Sequence, residues 1–208
     1  MNWKIREVSL AELPELMRRL RDSAVTAGFQ PDCIVYLETG ARLLAAEACR
    51  QLGVGAIPLK IQRRGATAKS NLAHMLGSLP TWAKDILRQL EARLLWKRMK
   101  HDRLLRDAPA ANLSNCRVLL LDDAVDAGTS VRLAREWAVR CGARLEDVRV
   151  AAITVTTDLA DDLVDFVLFR QMCRFPWSSD SRELDAYSAM YARTVVPPFI
   201  RDGIAQHK

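Results

Sequence analysis

Long apolar runs are missing from this 208-residue chain. Runs such as Val118–Leu121 fall far short of the roughly 18 residues that a membrane-spanning helix requires. Glycine (9) and proline (8) are sparse, which excludes collagen-like and low-complexity disordered classes. The five cysteines (Cys33, Cys49, Cys116, Cys141, Cys173) are odd in number, scattered and never spaced CxxC, which excludes a disulfide scaffold and argues against structural zinc. The histidines, His74, His101 and His207, lie apart without HExxH or HxxxH spacing, so no metal centre is expected from them. There is no GxxxxGK[ST] phosphate loop, no serine elbow and no Cys–His arrangement. The opening MNWKIREVSLAEL lacks the apolar stretch of a signal peptide. With cysteine usage that suits a reducing compartment, the expected location is the cytoplasm.

What is present suits a globular enzyme-sized domain. Half the residues are hydrophobic and 27% are charged, enough for one proper core. The net charge of +6 is uneven. Residues 60–106 carry twelve Lys/Arg against Asp85, Glu91 and Asp102, a local charge of +9, leaving −3 elsewhere. Such a basic insert is read either as a solvated helix face or as a surface meeting something anionic: a phosphate-rich substrate, nucleic acid or a membrane.

Periodicity orders the rest. Ser9 and Glu12 form a capping box ahead of Leu13, Leu16, Leu20 and Ala24, which recur at helical spacing to a stop at Gly28. Pro14 sits near the first turn, where a missing N–H costs least. Cys33–Leu37 reads as a buried strand, Arg42–Leu52 as a helix ended by Gly53, and Ile57, Leu59 and Ile61 alternate as a strand. Residues 62–71 are polar and aperiodic, and after Pro80, with Thr81 as N-cap, Trp82, Ile86, Leu90 and Leu94 make a helical stripe. Arg117–Asp122 reads as a strand, Ser130–Cys141 as a helix closed by Gly142, Val148–Val155 as a strand and Leu163–Phe169 as the last one, with Asp158, Asp161 and Asp162 in a solvated turn. Alternating strands and helices predict a Rossmann-like α/β fold, a parallel sheet flanked by helices on both faces. The expected organisation is a single domain, 1–208, with an insert at about 62–112 and a C-terminal hood at about 156–208.

The segment VLLLDDAVDAGTS, Val118–Ser130, carries the chemistry. An apolar strand runs into Asp122 and Asp123, then a loop with Asp126, Ala127 and Gly128, then Thr129 and Ser130 at the start of a helix. Ligands of open α/β sheets sit at the carboxyl ends of strands, and a helix N-terminus offers free N–H groups to phosphate. The acids repel phosphate and suit instead the hydroxyls of a sugar or a magnesium ion. A sugar phosphate therefore matches the segment better than a bare phosphate.

This segment resembles the phosphoribosyl pyrophosphate (PRPP) signature of the type I phosphoribosyltransferases. The resemblance implies that Asp122 and Asp123 hold the ribose 2- and 3-hydroxyls, directly or through Mg2+, and that Asp126, Ala127, Gly128, Thr129 and Ser130 wrap the 5-phosphate. It makes Asp126 a candidate general acid/base. The stretch GFQPDCIVYLETGARLLAAEACRQLGV is similar to the family's first strand, pyrophosphate loop (Thr39, Gly40) and following helix. The stretch VAAITVTTDLADDLVDFVLFRQMCRFPW is similar to the xanthine/hypoxanthine branch, and the gap at about 62–112 is where the family keeps its flexible catalytic loop.

The pattern departs from the family at four points. Thr39-Gly40-Ala41, preceded by Glu38, stands where the purine branch commonly has Arg-Gly-Gly, so Arg42 or Arg63/Arg64 would have to bring charge to a diphosphate. The purine-reading lysine aligns with Thr156 or Thr157. The stacking aromatic aligns with Met172, beside Cys173, which would offer only its backbone; Trp177 is read as lying beside a ligand or, more often for a lone Trp after Pro, as a hood-packing residue. The acceptor pocket implied (Thr156, Met172, Cys173) thus lacks both the cation and the ring, which points away from a standard oxopurine. Ala127 also replaces a hydroxyl residue while keeping its N–H. The expected activity is a Mg2+-dependent, PRPP-using phosphoribosyl transfer to an unknown acceptor, in a homo-oligomer, commonly a dimer. The alternatives are a non-catalytic PRPP- or nucleotide-binding module and a nucleic-acid- or membrane-associated protein acting through the basic insert.

Overall fold

The computed structural model describes residues 5–38, 40–63, 103–106 and 108–200. The chain enters through a two-residue strand, β1 (Arg6–Glu7), and a 3-10 turn (Leu10–Glu12). Glu12 accepts the Ser9 backbone N–H at 2.9 Å and the Ser9 hydroxyl at 3.2 Å, which ties off the start of α1 (Leu13–Thr26). Leu13, Leu16, Met17, Leu20 and Ala24 face the core, and Pro14 lies in the first turn. β2 (Cys33–Leu37) follows, then α2 (Arg42–Leu52), closed by left-handed Gly53 donating to the Cys49 carbonyl, then β3 (Ala56–Arg63).

β4 (Arg103–Arg106) returns antiparallel to the end of β3, with Arg63 opposite Arg103. Gln62, Arg63 and residues 103–106 are therefore strand, where the sequence suggests loop. The expected helix with the Trp82, Ile86, Leu90 and Leu94 stripe lies outside the described residues, as do Arg64 and most of the basic insert. β5 (Val118–Val125), α3 (Thr129–Arg140), β6 (Val148–Val155) and β7 (Phe166–Phe169) complete the main sheet.

The strand order is β4-β3-β2-β5-β6-β7, all parallel except the β3–β4 edge. Each central strand divides its side chains between two faces. Ile34, Tyr36, Leu119, Leu121, Ala151 and Ile153 pack with α1 and α2, while Val35, Leu37, Val118, Leu120, Val150 and Ala152 pack with Val131, Ala134 and Trp137 of α3. Continuous apolar runs are what a sheet buried on both faces requires. The described chain thus has the expected α/β architecture.

Toward the C-terminus two features differ from the sequence reading. Residues 158–163 form a 3-10 helix, so the strand expected at Leu163–Phe169 starts at Phe166; Leu163 is drawn down to cover Gly128. That strand is not the last, because β8 (Cys173–Arg174) pairs in parallel with β1. Two residues are too few to show alternation. α4 (Leu184–Arg193) and a tail that bridges Ala56 to Pro198 finish the hood. Among the described residues, no helix is long and apolar enough to cross a membrane.

Candidate functional site

Strand order reverses between β2 and β5: the chain passes from β2 outward to β3, then resumes on the other side at β5. At such a switch point the loops leaving two neighbouring strands diverge and open a crevice at their carboxyl ends. Here those loops are 38–41 after β2 and 126–128 after β5. The two segments singled out in the sequence therefore meet because of topology, although about eighty residues separate them.

The turn after β5 is set by Gly128, whose φ is +72°. A side chain there would be strained and would also meet Leu163 Cδ1 at 2.2 Å. Gly128 caps α3, and its carbonyl accepts the Arg132 N–H at 2.9 Å. Among the described residues, none accepts a hydrogen bond from the amides of Ala127, Gly128 or Thr129. Three donors at the positive end of a twelve-residue helix are thus open to an anion. Ser130 is buried in the first turn and Thr129 is partly exposed.

The acids sit one step earlier. The sequence reading ends the strand at Asp122, but β5 runs to Val125, so Asp122 and Asp123 both lie within the strand. Asp122 is buried and accepts the Asp123 backbone N–H at 2.9 Å. Asp123 accepts the indole N–H of Trp177 at 2.5 Å. Burial pushes its carboxyl above the usual aspartate range, while Asp122 and the Trp177 donor pull it back down. Gly40 lies against this contact: a Cβ there would fall 2.2 Å from Asp123 Oδ2 and 2.7 Å from the indole nitrogen. The loop after β2, the end of β5 and the C-terminal segment therefore converge on the Asp123 carboxylate. Thr39, the other residue expected from that loop, lies outside the described residues.

Asp126 is held by the strand next door. Its carboxylate accepts the Thr156 hydroxyl at 2.5 Å, and its carbonyl accepts the Thr157 hydroxyl at 2.8 Å. Thr156, expected to line an acceptor pocket, is thus engaged with Asp126. Met172 and Cys173 lie together at β8, both partly exposed. The Met172 carbonyl accepts the Arg6 N–H at 3.0 Å, and that of Arg174 accepts the Val8 N–H at 2.9 Å. The Cys173 backbone thus faces away from β1, because alternate residues of a strand point their backbone groups to opposite sides. Its thiol is pushed up by burial.

Arg42 does not reach toward a diphosphate. Its guanidinium stacks 4.6 Å over the Tyr191 ring and donates to the Thr194 carbonyl at 3.0 Å, tying α2 to the C-terminal tail. Glu38 is partly offset by Lys60 at 3.7 Å. Trp177 packs on Phe175 and Tyr187, in keeping with the packing role expected of it, but its bond to Asp123 is not foreseen in the sequence. The only trace there is a lone tryptophan after Pro176, which does not reveal a partner 54 positions earlier.

The oxygen donors of Asp122 and Asp123 fit magnesium, which is commonly held by one or two carboxylates with ligand oxygens and water. Among the described residues, no group of three or more His, Cys, Asp or Glu forms a metal cage, so any ion here would depend on oxygens from the ligand.

No family model matches the chain, and no curated protein matches it in sequence. Solved structures do match its fold. A purine phosphoribosyltransferase from Pyrococcus horikoshii superposes with a TM-score of 0.59 at 14% identity, over 83% of this chain and 93% of that one. A xanthine-guanine-hypoxanthine phosphoribosyltransferase from Helicobacter pylori gives 0.60 at 11% identity, over 90% and 99%. A hypothetical protein from Neisseria gonorrhoeae with bound ppGpp gives 0.54 at 10% identity, over 91% and 97%. The chain has the fold of the type I phosphoribosyltransferases.

Proposed function

We propose that this protein is a phosphoribosyltransferase-like enzyme that binds PRPP with Mg2+ and transfers its phosphoribosyl group to an acceptor other than a standard oxopurine. The observation that carries this reading is the set of open amides at Ala127, Gly128 and Thr129, immediately downstream of a carboxylate pair at the sheet's switch point. The amides suit a terminal phosphate. The carboxylates repel phosphate and accept from a diol, so the two halves sort the two ends of a pentose phosphate. Asp126, oriented by Thr156, is the group placed to receive a proton from an incoming acceptor. When bound, magnesium would neutralise charge developing on the departing diphosphate. The protein's own residues contribute orientation, by holding the phosphate and the diol about a fixed C1 carbon. The engagement of Thr156 with Asp126, and Met172 in the ring position, support an acceptor unlike an oxopurine.

Calorimetric titration of PRPP in the presence of Mg2+ tests the reading. Wild type should bind, and Asp122→Asn/Asp123→Asn should lose at least about tenfold in affinity, as expected for charge-assisted hydrogen bonds. Absence of binding by wild type, or equal binding by the double variant, rejects it.

A second reading is a nucleotide-binding module without turnover. The ppGpp-bound neighbour supports it, and so does the indole already donating to Asp123. Diphosphate release from PRPP with a panel of bases separates the two: binding without release in every case favours the module.

A further inference from the structure

Asp123 is shared between the ligand site and the hood. Its carboxylate receives the indole N–H of Trp177, and Trp177 is itself wedged into an aromatic stack. Phe175 lies parallel to it at 4.9 Å and 6°, and Tyr187 of α4 is tilted against it at 5.4 Å. Phe175 and Tyr187 are buried. Arg174, the residue before Phe175, is buried and bridges Glu7 of β1 and Asp180, which ties the stack to both segments. On the far side, Gly40 presses against both Asp123 Oδ2 and the indole nitrogen, with no room for a Cβ. A flexible Asp side chain has several rotamers. This one is clamped from the hood and walled by the pyrophosphate loop.

Building on the function proposed above, we infer that Trp177 is a positioning residue: its N–H fixes the Asp123 carboxylate in the orientation that receives the ligand diol, and so makes ligand affinity depend on hood packing. The indole touches no reacting atom. It acts through Asp123, and its ring is held by Phe175 and Tyr187.

The test uses the full chain with Trp177→Phe, which keeps the ring and removes the donor, and Trp177→His, which restores a ring N–H. Trp177→Phe should weaken PRPP–Mg2+ binding about tenfold (~1.4 kcal/mol), and Trp177→His should recover most of that loss. In 15N-labelled free protein, the Trp177 indole proton should resonate downfield of an exposed indole and move upfield in Asp123→Asn. That last readout needs no ligand. If wild type binds PRPP and Trp177→Phe binds within twofold of it, or if Trp177→His fails to recover affinity while melting as wild type does, the positioning role is overturned and the proposed function stands. If wild type binds no PRPP, the proposed function fails, and an indole resonance unmoved by Asp123→Asn then overturns the positioning role as well.

Discussion

The phosphate turn and the acid pair are neighbours in sequence, yet they are built in opposite ways. The turn at 126–130 takes its shape from one left-handed glycine, and its amides at 127–129 have no acceptor among the described residues. The carboxylate of Asp123 is surrounded by Asp122, Gly40 and Trp177. A local turn can be specified by a handful of adjacent residues, because its geometry depends on φ and ψ alone. A buried carboxylate cannot: desolvation must be offset by donors brought from elsewhere. The open amides of the turn therefore follow from local geometry, whereas the setting of the Asp123 carboxylate depends on Trp177.

Perturbations that attack one region and spare the other sharpen this contrast. The largest effect is expected for Arg174→Met. It removes the buried guanidinium that bridges Glu7 and Asp180 beside the stack, and breaking such a pair costs about 3–5 kcal/mol. Thermal melts should show the loss, and PRPP affinity should fall with it. Gly40→Ala comes next, at about 1–3 kcal/mol for overpacking against Asp123 and Trp177. Its signature should be an altered Trp177 indole resonance together with weakened binding. Gly128→Ala should cost about 1–2 kcal/mol from φ alone, plus the displacement of Leu163. Adding Leu163→Ala should relieve the clash but not the backbone strain, so PRPP binding by the double variant stays below wild type while the indole resonance stays unchanged. The smallest effect is expected for Asn115→Gly. Asn115 also has positive φ (57°) but lies in a turn ahead of β5, at the opposite end of the strand from the acids. Melting and binding should both stay close to wild type, because Asn tolerates that conformation. If Asn115→Gly weakened PRPP binding as much as Gly128→Ala, the special standing of the phosphate turn would be lost.

Several elements were legible because their cause is local. Leu13, Leu16, Leu20 and Ala24 mark a helix by spacing, and Glu12 marks its start by capping. Cys33–Leu37 and Val148–Val155 are apolar throughout, as strands covered on both faces must be. The Asp-Asp-x-x-Asp-x-Gly order put the acids and the open amides in one place before any fold was known. Other features were invisible for an equally physical reason. β8 is two residues long and exists because β1, some 167 positions earlier, pairs with it. Arg42 reads as a cation beside the pyrophosphate loop, but a tyrosine ring and a carbonyl about 150 residues later take its guanidinium away. Residues 158–163 read as solvated turn and strand; tertiary packing of Leu163 on Gly128 makes them a 3-10 helix.

By itself the sequence determined the alternation of strands and helices, the glycine that bends the chain after β5, and the chemical character of the donors and acceptors on either side of it. These depend on periodicity, φ and charge, which act over a few residues. Only the tertiary structure decided that β2 and β5 would be adjacent, that Gly40 would press on Asp123, and that a tryptophan from the hood would hold that carboxylate. Contacts between distant segments arise from which faces must be buried together, and a linear chain does not display that geometry until the sheet has closed.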